Sequence, residues 1–295
     1  MYKNFDDWES YEGFSCGSGT SNQEWIINNE TNEIALFKER KTDSTTDNFS
    51  EKIASDIANV INLPCAKIDL AVRNNKIGLV SYLINSPGET LLEGVIYLSK
   101  KYPYYNRNDL IDDLSGKKYS FEMIMESIKD LEIEKDLFKI FIFDCLIGNS
   151  DRHHSNWAII NKNGNNKVCP IYDNASSLGA YLEDKRIKES FKDNKWLNAQ
   201  VDTKSKSRIH LEGKKVTHCQ FIKYLRDYYY DETIDFIKEI KYKLKEDKIE
   251  YIIDRYKGIL STYKIMFLKE FLKRKRILIL RVYDLETWKG GKNNG

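Results

Sequence analysis

The sequence has almost no net charge for its length. Its 295 residues contain 47 lysines and arginines against 45 aspartates and glutamates, which leaves a formal net charge of +2. A protein that binds nucleic acid over a broad surface usually has a strong basic excess, and so does a polybasic membrane anchor. The charge balance therefore argues against direct nucleic-acid binding and against attachment to a membrane surface.

Long hydrophobic runs and prolines are also scarce. A membrane-spanning helix needs roughly 20 apolar residues, and the nearest candidate, 138–148, is interrupted by Lys139 and Asp144. Only four prolines are present, so there is no proline-rich linker and few helices are interrupted. Because 41% of the residues are hydrophobic and no signal peptide is visible, we expect a globular cytoplasmic protein.

The five cysteines are far apart and never form a Cys-x-x-Cys pair. This pattern is typical of reduced thiols in a cytosol and not of a disulfide framework or a zinc site. The adjacent residues His153 and His154 could in principle belong to a nuclease-like metal site. No further histidine or cysteine lies near them at metal-ligand spacing, so the sequence disfavours that interpretation.

Hydrophobic periodicity divides the chain into a β-rich first part and a helical second part. We therefore predict an α+β, bilobal fold, with a small N-lobe of residues 1–85 and a larger helical C-lobe of residues 86–295. A basic run at 273–276 is interpreted as a solvated face of the last helix, or as a surface for an acidic partner. The predicted strands are 24–28, 33–38, 66–72 and 77–84, with short elements at 157–160 and 168–172, and the predicted helices are 48–63, 90–101, 120–131, 134–146, 220–229, 233–245, 248–257 and 263–283.

The polar segment Gly148-Asn-Ser-Asp-Arg-His-His-Ser-Asn156 lies between two strongly apolar stretches. A loop held by buried elements on both sides is a favoured place for chemistry. Asp151 and Asn156 are five positions apart, and Asp173 follows a second apolar stretch. Phosphoryl transfer needs one carboxylate that orients and deprotonates a hydroxyl, and an amide and a further carboxylate that hold Mg²⁺. The spacing indicates that chemistry, and the alternative is an Asx-rich turn whose side chains cap backbone groups.

Together with Pro170-Ile-Tyr-Asp173, this segment resembles the signature of the HipA-like kinases, which are bacterial serine/threonine kinases of toxin–antitoxin systems and related stand-alone forms. A more distant similarity is to the catalytic loop of phosphatidylinositol kinases. The resemblance extends over roughly residues 13–225 and implies a protein-kinase-like fold. It further implies that Asp151 is the catalytic base, that Asn156 and Asp173 are the Mg²⁺ ligands, that His153 lies near the γ-phosphate of ATP and that Tyr172 lines the adenine pocket.

Lys38 is the candidate for a lysine that binds the ATP phosphates. It ends a predicted strand on the same face as Ile34 and Leu36, and a lysine on an inward face needs an anionic partner. If the strand ends one residue earlier, Lys38 is solvated instead. Glu51 in the following helix is the candidate partner of Lys38, although it also fits a capping box that begins at Asn48.

The segment Cys16-Gly-Ser-Gly-Thr-Ser21 precedes the first hairpin. Small residues let backbone N–H groups approach phosphates closely, so we predict a phosphate-covering loop, with a merely flexible N-terminal loop as the alternative. The resemblance implies autophosphorylation among Ser15, Ser18, Thr20 and Ser21. The predicted nucleotide contacts are Gly17, Ser18, Gly19 and Thr20 in this loop, and Ser81, Tyr82 and Leu83 in a hinge that binds adenine through its backbone.

These residues together predict an ATP- and Mg²⁺-dependent serine/threonine protein kinase, with a toxin, effector or regulatory role left open. The alternatives are a lipid or small-molecule kinase with the same site, and a pseudokinase that only binds nucleotide or a partner. Full-length HipA-like toxins carry an additional N-terminal subdomain that contacts the antitoxin, whereas here the glycine loop begins near residue 16. We therefore expect a minimal form of the family, with an unidentified protein substrate and with an antitoxin or regulatory partner left open.

Overall fold

The computed structural model describes residues 2–14, 22–191 and 193–286. Within these ranges the strands are β1 (Lys3–Asn4), β2 (Glu9–Ser10), β3 (Gln23–Ile27), β4 (Ile34–Glu39), β5 (Ile68–Arg73), β6 (Lys76–Tyr82), β7 (Thr90–Glu93), β8 (Tyr105–Asn106), β9 (Ile111–Asp112), β10 (Ala158–Lys162) and β11 (Asn165–Val168). The helices are α1 (Asp47–Val60), α2 (Gly94–Lys101), α3 (Phe121–Ile128), α4 (Glu134–Ile147), α5 (Asp184–Ser190), α6 (Asn194–Val201), α7 (His218–Tyr228), α8 (Tyr230–Lys243), α9 (Glu246–Asp254) and α10 (Thr262–Val282).

A six-stranded sheet in the order β1-β5-β6-β4-β3-β2 forms the first part of the chain. Side chains alternate between its two faces. In β4, Ala35 and Phe37 are buried against Phe5 and Trp8, whereas Ile34, Leu36 and Lys38 lie half-buried on the opposite face. The prediction that Lys38 lies on the same face of the strand as Ile34 and Leu36 is therefore confirmed, and that face is half-buried.

Helix α1 packs between the sheet and the helical part. Its Phe49 ring lies 6.2 Å from the Tyr256 ring, and the Tyr256 hydroxyl donates a 2.8 Å hydrogen bond to Asp56. Apolar residues of α1 belong to the same buried cluster as those of α4, α7 and α10. The fold is thus α+β as predicted, with the helix of the first part anchored in the core of the second. The division at residue 85 stays a prediction.

The prediction of one helix over 90–101 is wrong in its first turn. Residues Thr90–Glu93 form β7, which pairs with β10 in a three-stranded sheet, and the helix begins at Gly94. A short apolar run cannot be assigned to a strand or a helix from periodicity alone. The Trp157 ring fits against Gly94, where an added Cβ would lie 2.1 Å from the ring. This contact joins α2 to the strand that follows the polar segment 148–156.

The basic run at 273–276 is not simply a solvated face. Lys275 is 1% exposed and Arg276 is also buried, while Lys273 pairs with Glu250 at 2.6 Å. The second part of the run therefore points into the helical core. None of the helices in the described part of the chain has the length and apolar character needed to cross a bilayer. The described cysteines, Cys65, Cys145, Cys169 and Cys219, carry free thiols.

Candidate active site

The polar segment begins where α4 ends. Gly148 closes the helix with a φ of +68°, a left-handed conformation that favours glycine, and its N–H donates to the Asp144 carbonyl. An added Cβ at this position would lie 2.7 Å from the Phe271 ring of α10. Glycine is therefore required both by the turn and by the close approach of α10, and the start of the loop is fixed against the core.

Arg152 holds the loop together from inside. Its side chain is 1% exposed and forms a two-pronged contact with the Asp144 carboxylate, through Nε at 2.9 Å and Nη2 at 2.8 Å. Nη1 donates to the Asn156 carbonyl at 2.5 Å and to the Tyr172 carbonyl at 2.7 Å. Nη2 also donates to Asn174 Oδ1 at 2.6 Å. These five bonds use the five N–H donors of a planar guanidinium, whereas a lysine ammonium has only three.

This guanidinium brings the two predicted metal ligands into one place. The carbonyls of Asn156 and Tyr172 share one Arg152 nitrogen, and Asp173 follows Tyr172 directly. Asp173 has a φ of +53°, a left-handed conformation that aspartate tolerates better than most residues. The loop residue Asn156 and the downstream Asp173 are therefore neighbours in space, although 17 positions separate them in the sequence.

The predicted catalytic base lies on a loop whose backbone is closely restrained. The Asp151 N–H donates to Asn149 Oδ1 at 3.1 Å, and Asn149 Nδ2 donates to Asp144 at 2.9 Å. Asn156 Nδ2 donates to the Asp151 carbonyl at 2.9 Å, so its amide oxygen is the atom left for a metal. The Asx-turn alternative is partly right, because Asn149 and Asn156 do bond to the backbone. Those bonds fix the loop around Asp151.

Lys38, Glu51 and Asp173 line one cleft together with Gln23 and Leu79. Glu51 is 3% exposed, and the backbone N–H of Asn174 donates to its carboxylate. The pKa of Glu51 is raised to about 7, mainly by burial and also by the negative charge of Asp173, while the charge of Lys38 opposes both effects. Among the described residues, Lys38 and Glu51 form no direct ion pair.

The capping-box interpretation of Glu51 is wrong. Helix α1 begins at Asp47, its N-cap is Thr46, and no side chain caps it. Glu51 is therefore the fifth residue of the helix and points into the cleft instead of back to the helix start. Its Oε2 atom is buried without a hydrogen-bond partner. A buried acceptor left open in this way is suited to a cation or donor that arrives with a ligand.

The two adjacent histidines have different surroundings. His153 is half-buried in the loop, and its Nδ1 accepts from the Ser155 N–H at 3.2 Å. His154 is buried behind the loop, where its Nδ1 lies 3.0 Å from the Tyr105 hydroxyl. Burial lowers the pKa of His154 to about 4, so its ring is neutral. In the described part of the chain, no three His, Cys, Asp or Glu side chains converge on a metal position.

Tyr172 forms part of an apolar surface beside the cleft. Its hydroxyl donates to the Ser155 carbonyl at 2.9 Å, and its side chain packs against the buried cluster of Ala66, Ile68 and Leu79. The predicted hinge lies at the end of strand β6 and just after it, but the Tyr82 and Leu83 amides already donate to the backbone carbonyls of Lys67 at 3.0 Å and Ile34 at 2.9 Å. The adenine contacts of Ser81, Tyr82, Leu83 and Tyr172 stay predictions, and the predicted loop residues Gly17, Ser18, Gly19 and Thr20 lie outside the described residues.

Residues 14–257 match the sequence profile of the HipA-like C-terminal domain. The chain belongs to this family. A similar curated protein is the serine/threonine-protein kinase CtkA of Helicobacter pylori, which is 25% identical over 244 residues that cover 79% of this chain and 71% of CtkA.

Two solved structures share the fold of this family member. The crystal structure of the Helicobacter pylori proinflammatory kinase CtkA aligns with a TM-score of 0.80 at 20% identity, over 97% of this chain and 100% of the other. HipA of Shewanella oneidensis MR-1, solved with HipB and operator DNA, aligns with a TM-score of 0.57 at 14% identity, over 93% of this chain and 69% of HipA. The fold of this chain is therefore that of the HipA-like kinases.

The residues that hold the site together were not among the predicted site residues. Asp144 was visible in the sequence only as a charge that interrupts an apolar run, and Arg152 only as one polar residue of the loop. A buried acid on an apolar helix needs a partner. Arg152 is the arginine nearest to Asp144 in the sequence, so this pair could have been predicted. The roles of Asn149 and Asn174 left no comparable signal, because each depends on contacts between distant segments.

Proposed function

We propose that this HipA-like protein is an ATP- and Mg²⁺-dependent kinase that phosphorylates serine or threonine hydroxyls of a protein substrate. The observation that carries the proposal is the Arg152 guanidinium, which joins the loop of Asp151 and Asn156 to the segment of Asp173. Buried Glu51 and the half-buried Lys38 line the cleft next to Asp173. The name of the curated relative CtkA supports the choice of a serine/threonine kinase.

The donor set fits a magnesium ion shared with a nucleotide. Mg²⁺ prefers oxygen ligands and keeps several waters or phosphate oxygens, and Asn156 and Asp173 offer an amide oxygen and a carboxylate. When bound, Mg²⁺ would neutralise charge on the phosphates. The two protein ligands alone are too few for a metal site, which agrees with a site that is completed by ATP.

In the proposed reaction, Asp151 accepts the proton of the substrate hydroxyl as that oxygen bonds to the γ-phosphorus and the bond to the ADP oxygen breaks. Lys38 binds the phosphates from the strand side and brings a cation close to Glu51. Catalysis then consists mainly of positioning and charge neutralisation. We also propose autophosphorylation among Ser15, Ser18, Thr20 and Ser21, because the resemblance implies it.

The test is transfer of radiolabelled γ-phosphate from Mg-ATP to a panel of protein and lipid acceptors. We expect label on proteins, no label on lipids, and loss of transfer in Asp173→Asn. Asp136→Asn is the matched control, because Asp136 is an exposed residue of α4 that pairs with Lys139 one helical turn away. Label on lipids alone would favour the lipid-kinase alternative, and tight Mg-ATP binding without turnover would favour the pseudokinase. Phosphosite mapping of the same wild-type sample tests the autophosphorylation proposal.

A regulatory protein partner is proposed on narrower grounds. The Shewanella HipA was solved with HipB and operator DNA, and this chain shares its fold. We propose a protein partner for this kinase as well, and co-purification of tagged wild-type protein from its own host, compared with the same tag alone, tests it. Recovery of no protein at stoichiometric amounts would contradict the proposal.

A further inference from the structure

A chain of buried polar groups runs from the last helix to the catalytic loop. Lys275 Nζ of α10 lies 2.7 Å from Ser205 Oγ, and Ser205 Oγ lies 2.8 Å from His218 Nδ1. His218 Nε2 lies 3.0 Å from the carbonyl oxygen of Asn149. Lys275 and His218 are each 1% exposed. Three segments that are distant in sequence therefore meet behind the loop that carries Asp151.

The chemistry of its two ends, together with a neutral His218, fixes the direction of this chain. An ammonium group can only donate, and a carbonyl oxygen can only accept. Lys275 therefore donates to Ser205, and His218 donates from Nε2 to the Asn149 carbonyl. Burial, together with the charge of Lys275, lowers the pKa of His218 well below its usual value, so the ring is neutral. A neutral ring that is protonated at Nε2 accepts at Nδ1, so the Ser205 hydroxyl donates to Nδ1.

The end of the chain acts on the residue that restrains Asp151. Asn149 donates from its backbone N–H to the Asp144 carbonyl and from Nδ2 to the Asp144 carboxylate, and its Oδ1 accepts from the Asp151 N–H. The bond from His218 satisfies its last polar group, the carbonyl. Because every polar group of Asn149 is then fixed, a change at His218 is transmitted to Asp151 through a single residue.

Burying the Lys275 ammonium group at this position costs free energy. The groups that affect its charge from the surrounding elements are Cys145 of α4, Cys219 of α7 and Asp202 after α6. Among the described residues, no carboxylate lies within ion-pair distance of its Nζ, and the Phe271 ring at 5.7 Å compensates only in part. A buried ammonium without an anion destabilises a fold. Packing alone does not explain a lysine here.

We propose that Lys275, Ser205 and His218 are positioning residues, which hold Asn149 and thereby Asp151 in the reactive geometry by fixing His218 in its Nε2–H tautomer. The proposal rests on the proposed kinase activity. Removing the Lys275 ammonium leaves the Ser205 hydroxyl free to rotate, so the His218 proton can move from Nε2 to Nδ1. In the Nδ1–H tautomer the hydrogen bond from Nε2 to the Asn149 carbonyl is lost, although a methionine at position 275 still fills the space.

Two substitutions of one residue separate the positioning role from packing. In His218→Gln the amide nitrogen occupies the place of Nε2 and can still donate to Asn149, whereas in His218→Asn the amide reaches only the Nδ1 position. We expect His218→Gln to keep most of the phosphoryl-transfer kcat and His218→Asn to lose about tenfold, the effect of one hydrogen bond, with KM for ATP unchanged in both. His210→Asn is the control, because His210 also bonds a backbone carbonyl, that of Tyr119 at 3.1 Å. Equal kcat values for the two His218 variants would overturn the proposal.

A second measurement does not depend on activity. Two-bond ¹H–¹⁵N spectra of the full chain report the tautomer of each histidine, and His218→Gln assigns the His218 signals. We expect the Nε2–H tautomer in the wild type and a loss of that single tautomer in Lys275→Met. An Nδ1–H tautomer in the wild type, or an unchanged tautomer in Lys275→Met, would refute the relay. An inactive wild type with the expected tautomers would instead count against the proposed kinase activity.

Discussion

Replacing Arg152 by methionine tests how the site is held together. The change removes a guanidinium that is 1% exposed and bonds to Asp144, Asn156, Tyr172 and Asn174. Among the described residues, it leaves the buried Asp144 carboxylate with the Asn149 amide as its one side-chain donor. Breaking a buried pair on one side typically destabilises a protein by about 3–5 kcal/mol. That is a large part of the roughly 5–15 kcal/mol that stabilises a typical domain.

Urea unfolding followed by tryptophan fluorescence measures this effect, because the buried Trp157 lies next to Asn156. We expect Arg152→Met to lose about 3–5 kcal/mol, equivalent to a fall in Tm of about 6–10 °C at roughly 2 °C per kcal/mol. The exposed Arg186 provides the control Arg186→Met, with a change within about 0.5 kcal/mol.

The partner substitution shows whether the charge of Asp144 causes the loss. Asp144→Asn in the Arg152→Met background removes the unpaired charge, so we expect the double variant to recover part of the stability, with a coupling energy of at least about 1 kcal/mol. A loss below about 1 kcal/mol in Arg152→Met alone, or fully additive effects of the two substitutions, would refute the role given to this pair.

Two further predictions concern the cleft and the start of the loop. Glu51 has a folded-state pKa of about 7, above its usual value, so the stability of the protein in EDTA should fall as pH rises from about 4.5 to about 7. Paired Tm measurements at pH 5 and pH 8 should show that this part of the fall is absent in Glu51→Gln. An unchanged pH dependence in Glu51→Gln would contradict the burial of a titrating carboxyl. Gly148→Ala places a Cβ at a left-handed φ and against the Phe271 ring, so we expect it to lower the free energy of unfolding in urea by more than about 1 kcal/mol. Gly164→Ala is the control for the backbone effect alone, because Gly164 has a positive φ with open space around it.

The candidate catalytic residues could be proposed from the sequence because their pattern is local. Asp151 and Asn156 lie in one loop between apolar elements, and Asp173 follows the next apolar stretch, so these features together indicate the chemistry proposed for them. The face of Lys38 follows from the two-residue period of a strand. Helix α4 and the strands β3 to β6 follow in the same way from short-range hydrophobic patterns, and their observed bounds differ from the predicted ones by a few residues at most.

The features that the sequence did not predict depend on contacts between distant segments. Glu51 fits a local capping pattern, but the amide of Asn174 and the cleft decide its environment. Strand β7 exists because β10, which lies more than 60 residues later, pairs with it. Lys275 belongs to a basic run that looks solvated, yet it is buried because Ser205 and His218 arrive from other segments. Local sequence carries none of these pairings.

The central claim is that Asp151 accepts a proton during phosphoryl transfer. The most direct test is the single-turnover rate of γ-phosphate transfer from Mg-ATP to a protein acceptor in the wild type and in Asp151→Asn, with Tm and Mg-ATP affinity measured on the same samples. A positioned general base contributes about 10²–10⁴-fold. The account predicts a loss of that size in Asp151→Asn with Tm and nucleotide affinity retained. Transfer at the wild-type rate by Asp151→Asn would contradict it.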